Sequence, residues 1–256
     1  MFKKILSIIL IANFIFCFVS CGIHKDTIKD NPEDTVIGFV DNTDSEIAAK
    51  TYAENGSRLV AYNTLSDLLL AIENANVDYG VLSDYEYVSA FNVGRAIKLY
   101  EVAPYSIEFC AYFRKDSIEL CKQFNESVRR MVDKNIIDQI ANAEYNGESF
   151  VSSYSGTGEK ELKILCNPSV DLFIYLLEKG EYSGVDIHIL ETFAEENNCS
   201  LTYKICDDEE LFYNLEKGEG DMIISALTYN EKRAEDYLAS DIYFTINYNL
   251  VTRTSF

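Results

Sequence analysis

Short apolar runs and amphipathic stretches alternate along the first half of the chain. Thr35–Val40, Leu59–Tyr62 and Asp78–Leu82 each have the length of a buried strand. A helix-forming stretch follows each strand, and the second of these begins with Thr64–Asp67, a sequence typical of a capping box. Because strands that alternate with helices pack as parallel neighbours, this pattern predicts an α/β fold.

The second half repeats the alternation after a long helical segment. Apolar residues at helical spacing predict one helix over Ser117–Ile137 and a second one that ends near Ala143. Residues 146–159 are rich in glycine and serine, which indicates a linker or surface loop. The apolar runs that are then expected to form strands are Glu161–Cys166, Ser200–Ile205 and Met222–Ile224.

The N-terminus has the features of a bacterial targeting segment. Two lysines precede the apolar run Ile5–Phe18, and Phe18–Cys21 resembles a lipobox with a small residue before the cysteine. We therefore expect a signal peptide over residues 1–20, a lipid on Cys21 and a tether over residues 21–34. The alternative is an uncleaved anchor, since the apolar run approaches the length of a membrane span. Both interpretations place the rest outside the cytoplasm, and the first attaches it to the cell membrane by lipid.

Composition narrows the classes of function. A formal net charge of −20 over 256 residues argues against nucleic acid as a partner. Of the seven cysteines, Cys17 and Cys21 lie in the targeting segment, which leaves five at irregular spacing. Buried free thiols are therefore expected rather than a disulfide framework. With two histidines in the chain, we expect no metal site, no catalytic triad and no cofactor.

The stretch most indicative of a binding site is Asp221–Tyr243. A short strand there leads into a turn with Ser225, Ala226 and Thr228, and an asparagine then stands where a helix N-cap belongs, with Arg233 in the first turn. A helix N-terminus and an arginine fork both suit a carboxylate, so the pattern predicts a carboxylate-binding cradle. The alternative is that Arg233 pairs with acidic neighbours on a solvated helix face.

The sequence from Ile224 to Arg233, together with Ser240–Phe244, resembles the first-lobe signature of extracellular solute-binding proteins that serve amino-acid transporters. This resemblance implies a two-lobed periplasmic-binding-protein-like fold of type II, in which each lobe has a central mixed sheet flanked by helices. It also implies that an arginine holds the α-carboxylate of the ligand. The residues expected around that carboxylate are Arg233, Ser225, Ala226 and Thr228.

The resemblance extends to the first half of the chain. The first strand and the turn after it are similar to the start of the family's second lobe, so Thr43 and Ser45 are expected to donate to the carboxylate, whereas Asp44 between them would repel it. At the end of the third strand, Ser83 aligns best with the aspartate that binds the ligand's ammonium group in the family. Asp84 follows one residue later and is the candidate acid.

A further set of contacts is implied near residue 170. The segment Asn167–Phe173 resembles the family motif Asp-Pro-x-Tyr-x-Pro-Phe, and we expect Asn167 and Phe173 to lie at the ligand. Asn167 replaces the acid of the motif, and Val170 replaces the tyrosine whose ring covers the ligand. These replacements indicate a non-standard ligand or a site that has lost its function.

The order of the resembling segments is rotated relative to the family. The expected segments are a second-lobe-like region at 35–113, return helices that pack on the first lobe at 114–145, a linker at 146–160, a first-lobe-like region at 161–247 and the end of a hinge strand at 248–256. One hypothesis is a circular permutation through the linker, which the closeness of domain termini makes tolerable. The other is a truncated tandem receptor, built from the tail of one binding domain and the head of another.

The sequence therefore predicts a monomeric, lipid-anchored extracytoplasmic protein that captures a small amino-acid-like ligand between two lobes for an ABC transporter permease. The alternative function is a sensory or degenerate binding module, whose partner is a membrane sensor. An enzyme is the third interpretation, since related folds include dehydratases of cyclic acids. No acid–base pair stands in a motif, so we expect no enzymatic activity.

Overall fold

The structure is a computed structural model, and it describes residues 34–53, 56–148, 150–168 and 172–254. The predictions for the signal peptide, for Cys21, for most of the tether and for Val170 lie outside these residues. Within the described ranges, no helix combines the length and the apolar character that a membrane crossing requires.

The strands and helices that the hydrophobic pattern predicts occur in the expected order, and the described residues also contain strands that the pattern did not predict. The strands are β1 Val36–Val40, β2 Arg58–Tyr62, β3 Tyr79–Ser83, β4 Ile97–Phe109, β5 Tyr112–Phe113, β6 Lys160–Cys166, β7 Tyr175–Leu176, β8 Tyr182–Ser183, β9 Cys199–Ile205, β10 Met222–Ile223, β11 Leu238–Ala239 and β12 Phe244–Arg253. The helices are α1 Asp44–Ala53, α2 Leu65–Glu73, α3 Asp84–Asn92, α4 Ile118–Asp133, α5 Ile136–Tyr145, α6 Val185–Glu196, α7 Asp208–Glu216 and α8 Glu231–Asp236.

Two five-stranded sheets organise these elements. The first sheet has the order β2-β1-β3-β12-β4, and the second has the order β11-β5-β10-β6-β9. Both are mixed: β1 runs parallel to β2 and β3, whereas β12 runs antiparallel to β3 and β4, and β10 is parallel to β6 but antiparallel to β5. The predicted fold class, a two-lobed α/β fold with mixed sheets flanked by helices, is confirmed.

Two antiparallel segments connect the sheets. The chain leaves the first sheet at the end of β4 and enters the second at β5, and it returns from β11 to β12. Backbone hydrogen bonds join the two crossings, because Tyr243 N donates to Phe109 O at 3.0 Å and Ser240 N donates to Ala111 O at 2.8 Å. The crossings therefore run side by side and hold one edge of the space between the sheets.

Two glycines let helix α2 lie close against the first sheet. Gly38 of β1 and Gly80 of β3 are partners in the parallel register. A Cβ added at Gly38 would lie 2.5 Å from Leu68 Cδ1, and one added at Gly80 would lie 2.4 Å from Ile72 Cδ1. Since real Cβ atoms do not approach so closely, any larger residue at either position would push the helix away from the sheet.

The long helix after the first crossing is shorter than the sequence pattern predicts. The expected single helix over Ser117–Ile137 ends at Asp133, and a new helix, α5, begins at Ile136 and continues to Tyr145. Asn135 between them has a φ of 59°, a left-handed conformation that an α-helix cannot contain. Apolar periodicity continues through this break, which is why the pattern missed it. Both helices pack on the core of the second sheet.

Every cysteine in the described residues is a buried free thiol, as predicted. These five residues are Cys110, Cys121, Cys166, Cys199 and Cys206. They contribute to apolar packing around both crossings and the second sheet.

A buried ionic cluster fastens α5 to α6. His188 Nε2 lies 3.2 Å from Glu144 Oε1 and 3.2 Å from the hydroxyl of Ser183, and its Nδ1 lies 3.1 Å from Glu191 Oε2. The hydroxyl of Tyr175 donates to the other oxygen of Glu144 at 2.9 Å. Burial alone lowers the pKa of His188, but the two carboxylates outweigh burial and raise the pKa to about 9. The imidazolium form is therefore the one that the fold stabilises.

We predict that this cluster makes folding stability fall as the pH rises. A histidine with a raised folded-state pKa contributes its full stabilisation below its unfolded pKa of about 6.5, and loses it as the pH passes through about 9. Between pH 6 and pH 9.5, the free energy of unfolding measured with urea should fall by about 2 kcal/mol more in the native chain than in His188→Gln.

The matched control for this measurement is Lys50→Gln, which removes an exposed ion pair with Glu46 in α1. Its pH dependence should equal that of the native chain, because exposed pairs contribute little to stability. An identical pH dependence in His188→Gln and the native chain would refute the charged state assigned to His188.

Candidate functional site

A cavity lies between the two sheets, beside the crossings. Its volume is about 760 Å³. The side of the first sheet and its crossing strand contributes Asp44, Ser83, Tyr85, Tyr105, Ser106, Glu108, Phe109 and Tyr248, among others. The side of the second sheet contributes Leu172, Phe173, Ala226, Thr228 and Tyr229. A smaller concavity of about 380 Å³ lies at the outer edge of the first sheet, between β2 and α2, and does not touch the second sheet.

The loop after β10 is shaped by a buried carboxylate. Ala226 has a φ of 46°, in the left-handed region, which an alanine adopts only at a cost. Its N–H donates to Asp186 Oδ2 at 2.8 Å, and the hydroxyl of Tyr243 donates to Asp186 Oδ1 at 2.8 Å. Asp186 is fully buried at the start of α6, so it joins the cavity loop to the returning crossing. Burial raises the pKa of this carboxyl to about 7, although both hydrogen bonds lower it.

Gly184 makes this arrangement possible. Its φ is 119°, and a Cβ there would lie 2.3 Å from the carbonyl oxygen of Phe173. The glycine therefore allows the segment of Phe173 to pass directly over the start of α6, where Asp186 N donates to the same carbonyl at 3.1 Å. Phe173 is 2% exposed and its ring centroid lies 4.7 Å from that of Phe109, which forms an aromatic floor for the cavity.

The residues predicted around the carboxylate separate in the structure. Ala226 and Thr228 line the cavity. Ser225 does not, because its buried hydroxyl accepts from Asn167 N at 2.9 Å and donates to Asn167 O at 3.3 Å. The side-chain amide of Asn167 in turn donates to Asp208 at 2.9 Å, away from the cavity. Ser225 and Asn167 thus connect two loops of the second sheet.

Arg233 is not among the residues that line the cavity. Asn230 caps α8 as predicted, since its side chain accepts from Arg233 N at 3.1 Å. The guanidinium carbon of Arg233 lies 5.0 Å from the centre of the Phe212 ring, which is a cation–π distance. The side chain therefore packs against an aromatic ring of α7.

The turn before α1 uses its hydroxyl groups internally. Thr43 Oγ1 donates to Val40 O at 2.8 Å, and Ser45 Oγ accepts from Val40 N at 3.0 Å. Neither side chain lines the cavity. Asp44 between them does, and the hydroxyl of Tyr105 donates to its Oδ1 at 3.3 Å.

The end of β3 is likewise occupied by structural hydrogen bonds. Ser83 lines the cavity but forms a capping box with Glu86, to which its hydroxyl donates at 3.0 Å. Asp84 lies outside the lining, since its two oxygens accept from the side chains of Asn247 at 3.0 Å and Asn249 at 2.6 Å. Asp84 therefore ties α3 to β12 in the middle of the first sheet.

The structure thus brings together four of the predicted contact residues, which are Ser83, Phe173, Ala226 and Thr228. It adds residues that the sequence interpretation did not assign, namely Tyr85, Tyr105, Tyr229, Tyr248 and Glu108 at the cavity and Asp186 behind it. Nothing in the sequence next to these tyrosines distinguishes them from the others in a chain with 18 tyrosines. Asp186 was visible in the sequence as part of the Gly184–Ile187 motif, although its role was not. Among the described residues, no group of three or more metal-ligating side chains is found.

The comparisons with known proteins identify part of this chain. Residues 162–255 match the family described as bacterial extracellular solute-binding proteins, family 3. A probable histidine-binding protein of Neisseria gonorrhoeae is 28% identical over 87 residues, which are 34% of this chain and 32% of that protein. Membrane-bound lytic murein transglycosylase F of Klebsiella pneumoniae is 24% identical over 107 residues, which are 41% of this chain and 20% of that enzyme. The chain thus spans a third or less of the length of these relatives.

A phosphate-binding protein of a Streptococcus pneumoniae ABC transporter is a similar solved structure. It has a TM-score of 0.48 and 12% identity, with 86% of this chain and 88% of that chain covered.

We predict that Asp186 determines the stability of the cavity loop. Asp186→Ala would leave Ala226 N–H and the Tyr243 hydroxyl without their acceptor in a buried place, and should lower the free energy of unfolding by about 2–4 kcal/mol. Tyr243→Phe removes one of the two bonds and should cost about 1–2 kcal/mol. Urea titrations followed by circular dichroism measure both, and an equal cost for the two variants would contradict the bridging role.

Proposed function

Because residues 162–255 match the family of bacterial extracellular solute-binding proteins, family 3, we propose that this protein captures a small amino-acid-like solute between its two lobes and delivers it to an ABC transporter. The observation that carries the proposal is the cavity of about 760 Å³ between two sheets that two crossing strands connect. A cavity of this volume suits a small molecule, and paired crossings act as a hinge about which two lobes close.

The description of the family as extracellular supports a place outside the cytoplasm. We further propose that a lipid on Cys21 holds the protein at the membrane, with the segment before it as a signal peptide. The ligand is bound without chemical change. The solute contacts proposed within the cavity are Ser83, Phe173, Ala226 and Thr228.

A thermal-shift panel of amino acids, amines and small anions on the full chain in mild detergent tests this function. A ligand at about one hundred times its Kd adds roughly 2.7 kcal/mol of stability, which corresponds to a rise of about 5–11 °C in the melting temperature of a chain of this size. We expect at least one solute to raise the melting temperature. A flat panel over a cooperative melt would exclude the solute classes in it.

The position of the solute is tested by filling the cavity. Ser106 lies in the crossing part of β4 and lines the cavity, so Ser106→Trp should abolish the shift that the best solute produces. The matched control is Ser155→Trp, on the exposed loop between α5 and β6, where the same ring is added far from the cavity lining. If both variants kept the full shift, the solute would bind elsewhere.

We propose that the segment order reflects a circular permutation. β12 lies between β3 and β4 within one chain, which gives the first sheet its hinge strand without a second copy. A permuted chain should be monomeric in light scattering, with the amides of Phe244–Arg253 protected from hydrogen exchange at every concentration. Protection that appears only as a dimer forms would favour the truncated tandem receptor.

The alternative function is a sensory module that binds the solute without delivering it to a transporter. Uptake of the bound solute by cells, with and without the protein, separates the two roles.

A further inference from the structure

The charges that line the cavity all have one sign. Asp44 and Glu108 are the ionisable acids in the lining, and the described lining residues include no arginine, lysine or histidine. The arginine that the family resemblance would place there lies on the ring of Phe212. An anionic group in this cavity would therefore meet two carboxylates and no counter-charge.

Three hydroxyl groups that the family resemblance implies as ligand contacts already donate within the protein. Thr43 donates to Val40 O, Ser83 donates to Glu86, and Ser225 donates to Asn167 O. A hydroxyl has one proton to donate, so these three have already used theirs within the protein. These three hydroxyls are therefore not free to donate to a carboxylate.

Asp44 stands in a setting suited to a cation. It is the first residue of α1. The rings of Tyr105 and Tyr248 lie beside it, with centroids 5.6 Å apart and planes tilted by 50°, and all three residues line the same cavity. Burial, and then the charge of Asp44, raise the pKa of both tyrosine hydroxyls. Tyr105 is held in place by its hydrogen bond to Asp44.

A carboxylate flanked by tyrosine rings attracts a positive group in two ways. The carboxylate provides an opposite charge, and the electron-rich ring faces add cation–π attraction that grows as water is removed. Glu108 adds a second negative charge at the crossing strand. The formal net charge of −20 also raises the local concentration of cations around the protein.

We propose that the solute carries a fixed positive charge, a protonated amine or a guanidinium group, which binds between the carboxylate of Asp44 and the rings of Tyr105 and Tyr248. The inference rests on the proposed function, since it names the class of solute for the same cavity. It replaces carboxylate recognition through Arg233 with cation recognition through Asp44.

Isothermal titration calorimetry with matched probes tests the proposal on the full chain in mild detergent. Arginine, lysine and choline carry a fixed positive charge, agmatine and cadaverine carry it without a carboxylate, and citrulline and glutamine are neutral at the side chain. We expect at least one cationic probe to bind, its decarboxylated counterpart to bind within about tenfold of it, and the neutral counterpart to bind at least tenfold more weakly.

Two variants locate the positive group. Asp44→Asn keeps the size of the side chain and removes its charge, and should weaken the best cationic probe by roughly tenfold or more. Asp41→Asn makes the same change at an exposed acid three residues earlier that does not line the cavity, and should leave the affinity unchanged. Tyr248→Leu should also weaken the probe, while equal melting temperatures show that each variant remains folded.

The outcomes separate this inference from the function on which it rests. Binding of neutral or anionic solutes alone, or an unchanged affinity in Asp44→Asn, would overturn the cationic class and leave a solute-binding protein. If arginine or lysine bound but agmatine and cadaverine did not, binding would require the carboxylate of the solute, and the proposed cation recognition would be wrong. If no small solute of any charge bound, both the inference and the proposed function would fail.

Discussion

The buried carboxylate of Asp186 is the interaction on which the cavity depends. One oxygen accepts from Ala226 N in the loop after β10, and the other accepts from the hydroxyl of Tyr243 at the start of the returning crossing. A fully buried acid is costly unless it is hydrogen-bonded or protonated, and its pKa of about 7 reflects that balance. The same side chain holds Ala226 in the left-handed conformation. Asp186 therefore joins the loop after β10, helix α6 and the returning crossing.

The two crossings bring residues of both sheets together around the cavity. β4 and β12 run antiparallel from the cavity deep into the first sheet, whereas β5, β10 and β11 belong to the second sheet. Tyr105 and Tyr248 come from the first sheet, and Phe173 and Thr228 come from loops of the second. The chemistry of the cavity is therefore assembled only where the two sheets face each other.

Much of the fold was predictable from local patterns. Apolar runs gave the positions of six strands within one or two residues, as for Glu161–Cys166 against Lys160–Cys166. They did not give the bounds of the two longest strands, β4 and β12. Cap positions were equally local, because Asn230 and Ser83 contact backbone atoms three residues away. The break at Asn135 was missed, because the apolar stripe that α4 and α5 share passes over it. Apolar periodicity shows which face of a helix is buried, but it does not show where a residue adopts a left-handed backbone conformation.

The sequence by itself determined the alternation of strands and helices, the two α/β halves and the presence of polar residues at strand ends, because these depend on neighbours within a few positions. Only the tertiary structure decided which polar residues face the cavity. Asp84 and Ser225 stand where a ligand contact is expected, yet Asn247, Asn249 and Asn167 already engage them. Asp44, Tyr105 and Tyr248 become neighbours only through the pairing of β4 with β12 beside α1. A side chain's partners at long range depend on how sheets stack and cross, and no short stretch of sequence contains that information.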